Sequence, residues 1–322
     1  MIKSIVGRVR NVSRKFFLKR ILQSISALPN GGFITLVDIG AAGDIEPRWK
    51  PFTKFLNYVG FEPDERSRKD LLSKGNGNTF HDYSIFPFAV GGSKNELSFN
   101  LCRKPQVSST YVPNFDFLKN FPEVERFEVV STETIPVVPM DSLNINNPDF
   151  MKIDIQGGEL NALLGAEGLL SDVLGLELEV EFVELYSTQP LFGNVCEFLY
   201  EKGFEFIDFV NLCRWERDKH NGFGQCVFGD ALFLRTPEKL DYTNISLDKI
   251  SSYLSILLIY RRYDLIDKTL PLLPEVDRHK FELFEKKVSK ARIVDKLARK
   301  IVGINSRLIS FLGSDYRTHL IY

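Results

Sequence analysis

The sequence predicts a doubly wound α/β sheet flanked by an N-terminal helix and a C-terminal all-α appendage. Three observations carry this. Between residues 33 and 235, apolar strand-like runs alternate with stretches of helical periodicity, as in strand–helix–strand units of a parallel sheet. Several runs are apolar without interruption, which suits strands covered by helices on both faces. Beyond Pro237 the strand signal stops, while helical periodicity continues over residues 246–313.

In chain order, residues 3–27 place Ile5, Val6, Val9, Val12, Phe16, Phe17, Ile21 and Ile25 at helical spacing, and Asn30-Gly31-Gly32 ends that helix. Strands are expected at 33–39, 57–62, 85–90, 150–155, 174–180, 204–209 and 231–235. Helices are expected at 47–56, 64–73, 158–170 and 192–202, the last stopped by Gly203. Residues 97–138 break the rhythm. Two extended segments there enclose a polar and aromatic stretch with Tyr111, Phe115 and Phe117. Such an insert is either a lid or acceptor-binding loop, or a packed excursion. The expected division is a basic amphipathic helix over 1–30, a main domain over 31–237 and a helical appendage over 238–322.

At 322 residues, 44% of them hydrophobic, the chain can bury a full core. Its SILLIY run at 255–260 falls far short of the roughly 18 apolar residues of a membrane span. Arg8 and Arg10 interrupt any leader-like apolar segment. Cys102, Cys196, Cys213 and Cys226 lie far apart with no CxxC pair. Neither a disulfide framework nor a metal site is expected, and a reduced cytoplasm fits. Net charge is −1, yet residues 1–37 and 286–322 each carry +7, leaving −15 for the middle. The basic ends are either solvated helix faces packed on an acidic body, or a surface for an anionic membrane, polysaccharide or acidic carrier.

The chemistry begins at LVDIGAAGD (36–44) and YVGFEPD (58–64). The glycine-rich turn after the first strand lets backbone approach a ligand, and the next helix start presents amide hydrogens. Glu62 follows Asp38 by 24 residues at the end of the second strand, where an α/β nucleotide site places a carboxylate for the ribose hydroxyls. The dinucleotide G-x-G-x-x-G is incomplete here, and an acid-led turn suits a sulfonium ligand without phosphate, so S-adenosyl-L-methionine is favoured over NAD. In FMKIDIQGGELNALLGA (150–166), Asp154 ends a buried strand and Glu159 opens a helix. Lys152 is read as a structural partner of a nearby carboxylate. Glu177, Glu179 and Glu181 share one strand face, facing an acceptor or complementing the basic ends.

These segments, with FAVGGSKNELSF (88–99), VPMDSL (138–143) and FGDALFLR (228–235), resemble the FkbM-type S-adenosylmethionine-dependent methyltransferases over roughly residues 33–236. The resemblance implies a class I methyltransferase fold, Rossmann-like, with a seven-stranded sheet whose last strand is antiparallel. It also implies methyl transfer to a hydroxyl oxygen of a glycan, sugar or secondary metabolite. Asp38, Gly40, Ala41 and Gly43 would line the methionine end, Glu62 the ribose, and Ala89 and Val90 the adenine. Asp154 would lie beside the transferred methyl. Two departures stand out: the first turn is one residue shorter than the family's commoner form, and Gln156 stands where glutamate is more usual.

For an alcohol acceptor a base is needed, and Asp154 and Glu159 are the candidates, with His81 and His220 as alternatives. No P-loop, HExxH, G-x-S-x-G or His/Cys cluster is present. Nucleic acid is not an expected partner, because the body is acidic. The competing reading is a non-catalytic interaction protein on this scaffold, binding anionic partners through its basic ends. The C-terminal helix 291–313 is expected either to pack on the N-terminal helix, giving a homo-oligomer contact, or to lie peripherally on an anionic membrane.

Overall fold

The computed structural model describes residues 15–43, 45–75, 79–217 and 224–311, with side chains except those of 30, 74–75 and 298–311. The strands are β1 (Ile34–Ile39), β2 (Leu56–Phe61), β3 (Asp82–Phe86), β4 (Ala89–Val90), β5 (Asn95–Cys102), β6 (Val129–Val138), β7 (Phe150–Ile153), β8 (Gly175–Glu181), β9 (Glu205–Trp215) and β10 (Gln225–Leu234). Helix α1 covers 15–25. It is followed by α2 (Glu65–Gly75), α3 (Phe115–Leu118), α4 (Glu159–Leu164), α5 (Phe192–Glu201), α6 (Leu247–Ile259), α7 (Tyr263–Leu272), α8 (Glu275–Arg278) and α9 (Glu282–Phe311). The described residues form two compact units. One holds Thr35–Pro47 and Leu56–Thr236; the other holds Arg48–Phe55, the chain up to Ile34 and the chain from Pro237.

The first unit is the α/β body. Its seven strands run in the order β3-β2-β1-β7-β8-β10-β9, and β10 is antiparallel to both β8 and β9. This is the seven-stranded sheet with an antiparallel last strand that the resemblance implies. Apolar strand residues such as Val37, Ile39, Met151, Ile153, Leu176 and Leu178 pack with Ala162, Leu163, Val195 and Leu199 from α4 and α5. Burial of these side chains on both sheet faces drives the layering. The order reverses between β1 and β7, and such a switch point opens a crevice beyond the strand ends.

Several boundaries differ from the sequence reading for identifiable reasons. The run 85–90 is two strands: β3 ends at Phe86, Pro87 has no N–H to continue a ladder, and β4 joins β5 and β6 in a separate three-stranded sheet. Both extended segments of the insert are therefore sheet, with α3 between them. The helix read at 158–170 stops at Leu164, after which a 3-10 turn spans Leu169–Ser171. Strand β9 runs well past 209 and β10 begins well before 231, because Asn211–Trp215 and Gln225–Asp230 pair with each other as one long hairpin.

The second unit is helical. Its centre is α6, with Leu254, Ile256, Leu257 and Leu258 fully buried, so SILLIY is the core of this unit. The buried hydroxyls of Ser252 and Ser255 donate to the carbonyls of Phe33 (2.7 Å) and Gly32 (3.1 Å). Residues read as a helix over 47–56 form only a 3-10 turn, Lys50–Phe55, and belong here, where Trp49 packs edge-on against Tyr260. Arg261 ties the ends of the unit together. Its guanidinium lies 4.4 Å over the Phe17 ring of α1 and 3.2 Å from Asp295 of α9, a carboxylate only 1% exposed. Replacing Arg261 by Leu strips that buried carboxylate of this counter-charge, so equilibrium urea unfolding should show a loss of about 3 kcal/mol. Arg261→Leu combined with Asp295→Asn should recover part of it.

Candidate active site

The C-terminal ends of β1 and β7 are locked together. The Asp154 amide donates to the Ile39 carbonyl (2.9 Å), and the Gly40 amide donates to Phe61 (3.0 Å). Gly40 has φ +83°, and a Cβ there would lie 1.9 Å from the Asp154 carbonyl oxygen. Its glycine thus serves chain-to-chain approach between two strand ends, beyond the ligand approach expected from sequence. Gly43, at φ +100°, has open space around it and is required for its backbone angle.

Across this junction runs a line of side-chain contacts. Tyr58 Oη donates to Asp38 Oδ2 (2.7 Å). Lys152 Nζ lies 3.7 Å from Asp38 Oδ1 and 3.3 Å from Asp154 Oδ2. Burial works against the Lys152 ammonium, but Asp154 and Asp38 outweigh it and hold its pKa above the usual lysine range. Gln156 Nε2 then donates to Asp154 Oδ1 (3.0 Å) and Glu179 Oε1 (2.7 Å). Gln156 Oε1 accepts from Tyr186 Oη (2.9 Å). An amide can donate to two carboxylates at once; a glutamate in its place would set three carboxyl groups against one another.

A cavity of about 780 Å³, counting its open mouth, adjoins this line. Of the residues singled out by sequence, Gly40, Glu62, Ala89, Val90 and Asp154 line it. Asp38, Ala41, Gly43 and Glu159 are not among the lining residues; Ala42 faces the cavity where Ala41 is buried. Glu62 is 4% exposed, and its Oε1 accepts from the Asp64 amide (2.8 Å). Burial pushes Glu62 up to about 7 against the pull of that amide. Glu159 is turned back on its own loop, Oε1 accepting from the amides of Ile155 (2.9 Å) and Gly157 (3.2 Å).

The insert walls the cavity through Leu97, Phe99, Pro105, Gln106, Ser108 and Thr110. The expected aromatic trio is elsewhere: Tyr111 and Phe117 pack in a satellite cluster around Tyr186 and Trp215, while Phe115 is 41% exposed. His81 is exposed and outside the cavity lining; His220 lies outside the described residues. Glu177 and Glu181 are buried in a central strand, so they do not form a free edge. Phe88, beside the expected Ala89 and Val90, also lines the cavity; Ser109 and Tyr186 escaped the sequence reading because only folding brings their segments to Gln156. Ser109 Oγ donates to the Gln156 carbonyl (2.6 Å).

Carboxyl groups crowd the floor beside Asp154. Burial first, then Asp154, raises Glu179; burial first, then Glu159, raises Glu181. Burial, Glu177 and Asp154 push Asp230 up to about 7. These groups and Glu62 bind protons more tightly folded than unfolded, where carboxyls sit at 3.8 to 4.5. For Glu62 and Asp230 the stabilisation is complete below those values and is lost as pH rises through about 7. The free energy of unfolding, from urea titrations, should therefore fall between pH 5.5 and 8, and Asp230→Asn should reduce that fall by about 1–2 kcal/mol.

The family model described as the methyltransferase FkbM domain matches residues 38–206, more than half of the chain. The solved methyltransferase FkbM from Methylobacillus flagellatus KT is 17% identical, with a TM-score of 0.38, over 63% of this chain and 44% of that one. The chain thus spans less than half the length of that protein. Magnesium protoporphyrin IX methyltransferase (ChlM) from Synechocystis PCC 6803, solved with bound SAM, is 9% identical, with a TM-score of 0.35, over 72% of this chain and 84% of that one. A comparison with the curated proteins finds no match.

Proposed function

Because the chain belongs to the FkbM methyltransferase family, we propose that it transfers the methyl group of S-adenosylmethionine to a hydroxyl oxygen of a neutral glycan or secondary-metabolite acceptor. The supporting observation is the cavity that has the carboxyl groups of Glu62 and Asp154 in its lining, with Phe88, Ala89, Val90, Leu97 and Phe99 among its walls. A nucleoside needs such a pairing of a buried acceptor for its ribose with apolar walls for its base. Glu62 would hold the ribose hydroxyls, Phe88, Ala89 and Val90 the adenine, and the turn of Gly40, Ala41, Ala42 and Gly43 the methionine end. When bound, the cofactor supplies an electrophilic methyl on sulfonium.

The protein's part is to align an alcohol and take its proton. Asp154 faces the cavity, with one oxygen on Gln156 and the other near Lys152. Each carboxylate oxygen has a second lone pair, which leaves Asp154 able to accept from an incoming hydroxyl. Asp38 acts through Lys152, and Glu159 holds the loop that positions Asp154. The acids of the cavity lining, Asp64 and Asp154 with Glu62, disfavour a phosphorylated or nucleic-acid acceptor.

Isothermal titration should show S-adenosylmethionine binding that weakens about tenfold or more in Glu62→Ala. Asp154→Asn should retain binding and lose 10²–10⁴-fold in transfer of labelled methyl to hydroxylated saccharides. A base-stable ether product supports oxygen transfer to an alcohol. No cofactor binding by the wild-type chain overturns the reading in favour of a non-catalytic scaffold.

A further inference from the structure

Helix α9, 30 residues and therefore about 45 Å long, has two distinct faces. Phe284, Val288, Ala291 and Asp295 are buried within the helical unit. The parallel line displaced by two residues is Lys286, Lys290, Ile293 and Leu297, about 200° around the axis and so on the opposite side. There Ile293 is 61% and Leu297 55% exposed, and Lys290 and Lys296 are exposed beside them. In the sequence the same apolar spacing continues at Ile301, Ile304 and Leu308. Helix α1 repeats the arrangement. Phe17 and Ile21 are buried, while Phe16 is 48% exposed with Arg20 stacked 5.1 Å from its ring and Lys19 alongside. Arg261 binds the inner faces of both helices, so the same unit presents two outward faces of apolar and basic character.

We infer that these faces dock on a bilayer surface carrying anionic headgroups. Residues 286–311 hold eight Lys/Arg and one acid, Asp295, and that acid faces inward to Arg261. Basic side chains interleaved with apolar ones along one helix are the pattern of an interfacial helix, whose lysine stems lie along the apolar phase with their heads in the headgroup layer. A second copy would set lysine against lysine, a like-charge juxtaposition that disfavours association. A packed protein partner suits the face less well, because protein interfaces are depleted in lysine.

The test is co-sedimentation of the full chain with phosphatidylcholine vesicles with and without phosphatidylglycerol. The chain is expected to pellet with the anionic vesicles, stay in solution with the neutral ones and be released by salt. Lys290→Gln with Lys296→Gln should lower partitioning about thirtyfold, and Ile293→Ser with Leu297→Ser should lower it as well. All four positions are exposed, so circular dichroism and unfolding temperature should stay unchanged. Failure to pellet, or pelleting indifferent to both double variants, overturns the inference. So does a dimer in sedimentation velocity that the serine pair dissolves, which would assign the face to a second copy. Retention on polyglutamate equal to that on vesicles and indifferent to the serine pair would assign it to an acidic partner.

Discussion

The site depends on a single close approach, the Asp154 carbonyl occupying the space where residue 40 would carry a Cβ. It draws together the ends of β1 and β7 at the point where the strand order reverses. Any side chain at 40 would push these ends apart, and with them the two carboxylates that Lys152 bridges. The glycine in the turn and the aspartate over a hundred residues later are therefore one structural unit.

Around that junction the molecule concentrates acids at the ends of parallel strands. Such an arrangement is unfavourable in itself, since each carboxyl is desolvated beside others. It is tolerated through Lys152, through the donating amide of Gln156 and through protonation of some of the group. Glutamine at 156 is thus well suited to this sheet: its amide donates to Asp154 and Glu179 while its carbonyl accepts from Tyr186. Its backbone takes φ +60°, a strained angle for a side-chain-bearing residue and one found at sites where geometry is held by the surroundings.

The helical unit obeys different physics. Its core is the buried α6, and its terminal helices are amphipathic with respect to two environments, a packed interior and the solvent side. The buried Arg261–Asp295 pair fixes which face of α9 turns inward. Among the described residues, no helix is long and apolar enough to cross a membrane; the exposed faces are surface features only.

Much was legible in the sequence alone: the strand–helix alternation, the antiparallel last strand through the family motifs, and the residues Gly40, Glu62, Ala89, Val90 and Asp154 that gather around one cavity. These are local signals, because periodicity, turn glycines and strand-end acids act over a few residues. The break at Pro87 was missed, the run 85–90 being read as one strand, although a missing amide hydrogen is a local fact. What only the tertiary structure decided is non-local. It set Glu159 onto its own loop, moved Tyr111 and Phe117 into a satellite core and placed Leu97 and Phe99 on the cavity wall. It also chose which apolar line of α9 is buried. In each case two segments far apart compete for the same side chain, and the contact that removes more apolar surface or pairs more polar groups prevails.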